Sequence, residues 1–149
     1  MNTLARSLAA PVRRTTQWLE MLQPAAQLAA RLYIAQVFFL AGLSKIRDWE
    51  TTLALFEDEY QVPFLSPALA ALAGTAGELV LPVLLVLGLA GRFAALGLFV
   101  VNIVAVISLA EVPPVALQQH QFWGSLLLAL VLWGPGRWSL DALVKSRWG

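Results

Sequence analysis

The sequence predicts an all-α integral membrane protein, a four-helix bundle with a short amphipathic outer helix between its first and second crossings. Three observations predict it. Of 149 residues, 59% are hydrophobic and only 13% charged, against about 25% charged in an average soluble domain. The apolar residues gather in runs approaching or exceeding the roughly 20 that a helix needs to cross a bilayer core. The Lys and Arg residues beside those runs fall mostly on one side of the membrane if the chain crosses four times.

Residues 1–24 carry Arg6, Arg13 and Arg14 and lack the continuous apolar stretch of a secretory signal. Trp18, Leu19 and Leu22 beside these arginines predict a short amphipathic segment on the cytoplasmic face, ended by Pro24. The first crossing covers residues 25–46. Beyond it Trp49, Leu53, Phe56 and Tyr60 recur at helical spacing, with Asp48 as an N-cap and Pro63 as a stop. This outer helix lays its apolar face on the bundle or membrane and turns Glu50, Glu57, Asp58 and Glu59 to water. The second and third crossings cover 67–90 and 92–110. The fourth, 113–134, is the weakest: its strictly apolar part is 122–133, and full length places Gln118, Gln119, His120 and Gln121 in its first turns. Trp123, Trp133, Trp138 and Trp148 read as interfacial aromatics. A basic tail, 135–149, completes a single membrane domain.

Orientation follows from the basic residues. Arg6, Arg13, Arg14, Arg92, Arg137, Lys145 and Arg147 share one side, while the other receives Asp48, Glu50, Glu57, Asp58, Glu59 and Glu111 with only Lys45 and Arg47. Both termini are therefore expected in the cytoplasm. Three crossings would place the basic tail outside, so the charge pattern independently favours four. A net charge of +1 offers no nucleic-acid footprint, and the absence of cysteine excludes a disulfide, thiolate-bound zinc or a dithiol relay within the chain. One histidine, His120, cannot supply bis-histidine haem ligation within a protomer. No residue set predicts a metal site.

An ionisable side chain at mid-bilayer costs about 2.5–3.5 kcal/mol on insertion scales, and Glu78 lies at the centre of the second run. Pro82, four residues later, has no N–H for the Glu78 carbonyl, so this turn is expected to face the bundle interior. Positions 31, 35, 38, 42 and 45 share a stripe of the first crossing and bring Arg31, Gly42 and Lys45 to one face. Arg31 is the preferred partner for Glu78, with Asn102 of the third crossing completing a cluster. Glu78 is the candidate proton carrier, and Arg31, Lys45, Asn102 and His120 are the candidate ligand-binding residues. A structural alternative stands beside this reading, since such a pair with an asparagine can fix helix register without any ligand. Lys45 can likewise serve as an interfacial anchor, Arg92 as a turn residue retained in the cytoplasm, and His120 as a polar outer-turn residue.

Arg31, Gly42 and Lys45 in the first crossing, Glu78 in the second, and Gly88 and Arg92 at the following turn form an ordered set. The closing run Gly134-Pro135-Gly136-Arg137-Trp138-Ser139-Leu140-Asp141 continues it. Over about residues 28–144 the chain resembles the DoxX family of small four-helix bacterial inner-membrane proteins. In the closing run, Gly134 and Pro135 read as a helix stop, and Ser139 or Asp141 as the cap of a short cytoplasmic helix. The resemblance implies association with thiosulfate oxidation through a quinone, with detoxification of reactive oxygen, or with maturation of other proteins. The reading is thus an accessory subunit of a redox or maturation system, holding a quinone or other lipid-like molecule within the bundle. If it takes part in catalysis, it does so as a component of a quinone-linked oxidoreductase. A non-catalytic scaffold that recruits a partner protein, and a small oligomeric transporter or proton pathway, stand as alternatives. The expected partners are the lipid bilayer and a second protein or further copies of the chain.

Overall fold

A computed structural model describes the backbone of residues 3–148 and the side chains of residues 12–147. Six helices follow in order: α1 Thr3–Arg47, α2 Trp49–Asp58, α3 Pro67–Leu87, α4 Gly91–Ile107, α5 Pro114–Trp133 and α6 Leu140–Trp148. Among the described residues there is no strand, only an isolated bridge between Tyr60 and Leu109. The four long helices pack as a ring in which α1 touches α3 and α5, and α4 touches the same two. Helix α2 lies on α3 at one end of the ring, the α2 end; α6 and the turns at 88–91 and 134–139 close the other, the α6 end.

The distribution of polarity is that of a membrane protein. The interior buries Ile34, Phe38, Leu85, Leu98 and Leu127 beside the polar Arg31, Thr75, Glu78 and Asn102. The outer surface exposes Leu40, Leu72, Val80, Phe93, Val100, Ile107, Leu128 and Leu132, spread over all four long helices. Water would penalise that surface, whereas lipid tails match it. Three helical segments are long and apolar enough to cross a membrane: Val12–Arg47, Pro67–Leu87 and Pro114–Trp133. Helix α4 is equally apolar but shorter, at 17 residues.

Local sequence explains the boundaries. The Asp48 carboxylate accepts from the backbone N–H of Thr51 and starts α2. On α2, Phe56 is buried against Ala70 and Ala71, flanked by Trp49, Leu53 and Tyr60, while Glu50, Glu57 and Asp58 face outward. Pro67 and Pro114 occupy first turns, where a missing N–H costs nothing. Gly88 ends α3 in the left-handed conformation at φ 64°, with its N–H bonded back to Leu84 and Leu85.

Two expectations are corrected. Pro24 does not end an amphipathic segment, because α1 runs through it without a break. The lost bond is one carbonyl, that of Glu20, on an exposed stretch where water or lipid headgroups can satisfy it, while the Pro24 ring is buried at the α6 end. Trp123 is no exposed belt residue: it packs edge-on against Phe38 and His120, and its indole N–H donates to the Tyr33 hydroxyl at 3.3 Å. Trp133 and Trp138 are exposed, whereas the side chains of Arg6 and Trp148 lie outside the described residues.

Close approaches make two glycines differ sharply. A Cβ at Gly88 would stand 2.4 Å from Ser139 Cβ and 2.5 Å from Arg31 Nη1, at a positive φ as well, while one at Gly74 would meet only Phe56 at 3.8 Å. Gly88→Ala should therefore destabilise the protein by about 2–3 kcal/mol or prevent folding, and Gly74→Ala should stay within about 0.5 kcal/mol of wild type. Unfolding in mild detergent, followed by tryptophan fluorescence, checks the pair; equal stabilities would contradict the packing of the α6 end.

Candidate functional site

Glu78 sits midway along α3 with 10% of its side chain exposed, and its Oε2 lies 2.5 Å from Lys45 Nζ. This is the one ion pair among the described residues. The expected partner was Arg31, and the direction of side chains on helices explains the difference. A helical Cα–Cβ bond tilts toward the helix N-terminus. Lys45, near the C-terminal end of α1, therefore leans back into the bundle, and Glu78 on the antiparallel α3 leans toward Lys45. Arg31 leans the opposite way, out of reach. Gly42 permits the approach: a Cβ there would lie 3.1 Å from Glu78 Cβ and 2.9 Å from the Leu79 side chain.

The pair borders a cavity of about 440 Å³ at the α2 end. Phe56 of α2, Tyr60 and Phe64 of the following loop, Gly74 of α3 and Val101 and Val104 of α4 line it together with Lys45 and Glu78. The walls are predominantly apolar, so polar chemistry is confined to the ion pair, the Tyr60 phenol and Ser108, whose hydroxyl donates to the Val104 carbonyl. Burial, then the nearby Glu59 and Glu78 carboxylates, raise the Tyr60 pKa above its ordinary value, which keeps the phenol protonated at neutral pH. Tyr60 was read from the sequence only as part of an apolar face. Its place in the site had no signal beyond its spacing, because the chain reversal after α2 is what brings it to the cavity. Gln61 N–H donates to the Ser108 carbonyl at 2.8 Å and pins that reversal to the end of α4.

Arg31 is only 1% exposed and joins a different network. Its Nη1 donates to the Pro135 carbonyl at 2.9 Å and its Nη2 to the Trp138 carbonyl at 2.7 Å. Around this clamp, the two Asp141 carboxylate oxygens accept from Ala90 N–H and Gly91 N–H, each at 2.8 Å, capping α4 from α6. Ser139 accepts from Ala142 N–H and caps α6 itself. Arg92 donates to the Leu132 carbonyl at 3.1 Å. Most of the ordered set read in the sequence thus meets at the α6 end and ties the two turns there together.

Asn102 is buried and faces α5, where its Nδ2 donates to the His120 carbonyl at 3.0 Å and its Oδ1 lies 2.8 Å from His120 Nδ1. The carbonyl contact fixes which end of the amide is the donor, so Oδ1 must accept and His120 Nδ1 must carry a proton. Gly124 admits this contact, since a Cβ there would stand 3.2 Å from Asn102 Nδ2. The structure therefore divides the predicted residues among three places: Lys45 with Glu78, Arg31 with the closing turn, and Asn102 with His120.

Fold and site together define a class: a helical membrane protein with a partly buried charged pair opening onto an apolar cavity between its helices. The chain belongs to the DoxX family, whose model matches residues 26–111. That segment contains Arg31, Gly42, Lys45, Glu78 and Asn102 and ends before His120 and the closing turn, short of the span over which the resemblance was read. No curated protein and no solved structure matches the chain.

The ion pair makes a separable energetic prediction. Lys45→Met leaves the carboxylate buried without a counter-charge and should cost about 3 kcal/mol, whereas Lys45→Met combined with Glu78→Gln should recover most of that loss. Reversible unfolding of the two single variants and the double variant measures the coupling; additive losses would show that the two side chains do not interact.

Proposed function

We propose that this DoxX-family protein is an accessory membrane subunit of a redox or maturation system, and that it holds a quinone-class, lipid-like molecule in the cavity beside Lys45 and Glu78. The single observation that carries the reading is the pairing of about 440 Å³ of mostly apolar space with one ion pair at its wall, a buried carboxylate answered by a half-buried ammonium. Ligand sites commonly combine apolar walls with a few convergent polar groups, in volumes of about 300–1,000 Å³. A ring bearing carbonyl or hydroxyl oxygens fits this donor set. The Lys45 ammonium and Tyr60 phenol donate hydrogen bonds to such oxygens, the Glu78 carboxylate accepts one from a hydroxyl, and the apolar wall receives an isoprenoid or acyl tail. A quinone, when bound, supplies two-electron chemistry, with electrons exchanged through a partner protein. Within the chain, Glu78 holds or releases a proton at its carboxylate, and Lys45 balances the charge.

The proposed setting is the bacterial inner membrane, with four crossings and both termini in the cytoplasm. The basic residues at Arg92, Arg137 and Lys145 and the acidic residues of α2 lie at opposite ends of the ring, as the positive-inside rule requires of that topology. A reporter enzyme active only outside the cytoplasm should be silent at the C-terminus and active when inserted in the loop at 109–113. The reverse pattern would overturn the orientation, and activity at both places would overturn the crossing number.

The ligand reading is tested by mass spectrometry of small molecules retained when wild type and Glu78→Gln are purified in lipid discs. Wild type should retain a defined quinone or related lipid, and folded Glu78→Gln should retain at least tenfold less. Equal retention, or bulk lipid alone in both, would sink the proposal. A scaffold reading has one observation in its favour: Glu50, Glu57, Asp58 and Glu59 form an exposed acidic face. Reversing the charges of Glu57, Asp58 and Glu59 should leave ligand retention unchanged and weaken partner binding only if that face is the docking surface.

A further inference from the structure

The α6 end holds a second concave site, separate from the cavity at Lys45 and Glu78. It is a groove of about 740 Å³ between α1, the start of α4 and the closing turn. Three cationic side chains line it from three different elements: Arg92 on α4, Arg137 in the turn and Lys145 on α6. The one acid in its wall, Asp141, already spends both carboxylate oxygens on the Ala90 and Gly91 N–H groups. Arg92 spends one donor on the Leu132 carbonyl. Part of the floor is the turn at Gly134 and Gly136, both at positive φ, with the Arg92 and Gln27 side chains packed close against it.

Two further residues place this groove at a membrane boundary. Phe93 and Trp133 belong to its lining and are 69% and 66% exposed. Both flank helices whose outward faces are apolar. A ligand here would thus meet concentrated positive charge at one end and aromatic and aliphatic surface at the other.

We propose that this groove binds the phosphate of an anionic phospholipid, with the headgroup against Arg92, Arg137 and Lys145 and the acyl chains along the outer faces of α4 and α5. Guanidinium groups match phosphate oxygens by paired hydrogen bonds, and ammonium adds a point charge. Basic pockets at helix ends near the bilayer surface recognise anionic headgroups in this manner. A neutral zwitterionic headgroup brings its own cation into the groove and is disfavoured. The proposal is independent of the reading of the Lys45–Glu78 cavity, which lies at the opposite end.

The test uses the full chain in discs of phosphatidylcholine doped with fluorescent phosphatidylglycerol, read by energy transfer from tryptophan. Wild type should concentrate phosphatidylglycerol at its perimeter, and Arg137→Gln with Lys145→Gln should weaken that binding by about fivefold per cation removed. Arg137→Lys with Lys145→Arg should retain most of it, which separates charge loss from misfolding. Arg13→Gln with Arg14→Gln removes two charges outside the groove and should leave the binding unchanged. An equal loss in that control would mean diffuse attraction and overturn the site. Displacement by soluble glycerol phosphate at millimolar concentration would overturn the lipid assignment and reassign the phosphate to a free ester. No preference of wild type for phosphatidylglycerol over phosphatidylcholine would end the proposal outright.

Discussion

A charge placed inside an apolar medium must be answered by another group of the same chain, and much of this architecture follows from how Glu78 is answered. In lipid there is no water to share the cost, so the carboxylate dictates which helix lies beside α3 and at what distance. Lys45 reaches it only because Gly42 lets α1 and α3 approach and because both side chains lean toward each other along antiparallel axes. Helix α2 then covers the pair from above. Its Thr52 hydroxyl donates to the Lys45 carbonyl at 3.0 Å, which anchors the start of α2 to the residue that carries the charge. Packing of Phe56 against Ala70 and Ala71 fixes the other side of that cover.

The opposite end solves the same problem with backbone instead of a counter-ion. Arg31 is almost fully buried, and its guanidinium is met by two carbonyls of the closing turn. Those carbonyls are available because residues 134–138 are not helical. Gly88 has to lack a side chain for the guanidinium to pass. Asp141 adds a further tie by capping α4 across the gap. Arg31 itself is thereby enclosed in a structural lock, while Lys45 and Glu78 keep open space beside them.

The fold was legible in the sequence to the extent that its signals were periodic or compositional. The long apolar runs became the four long helices, and the four-three-four spacing from Trp49 to Tyr60 became α2 with Asp48 as its cap. Pairing was less legible. The stripe containing Arg31, Gly42 and Lys45 was read correctly as one face, but depth alone favoured Arg31 for Glu78, and depth ignores the tilt of side chains toward the helix N-terminus. Asn102 was expected beside Glu78 for its depth as well; helix rotation, which one sequence does not specify, turns it to His120 on α5. Pro24 shows the limit of breaker residues, since an exposed turn loses little when a single carbonyl goes without its helical bond. Tyr60 could not be assigned to the cavity because a chain reversal, not a periodicity, puts it there.

The two buried charges differ in one respect that bears on function. Arg31 is held by groups that do not titrate, and the adjacent turn closes around it so tightly that a glycine is required at 88. A charge that only fixes structure is well served by such a cage. Among the described residues the Lys45 ammonium and the Glu78 carboxylate are held only by each other, at the edge of a cavity large enough for a ring and lined by a phenol that stays protonated. Replacing such a pair by apolar side chains of similar volume would cost a purely structural bundle little or nothing. An arrangement that accepts the desolvation of both charges, leaves space beside them and supplies a neutral donor across that space is better suited to exchanging a hydrogen-bond partner or a proton than to holding helices together. That contrast, drawn within one molecule, supports placing ligand chemistry at Lys45 and Glu78 and structural duty at Arg31.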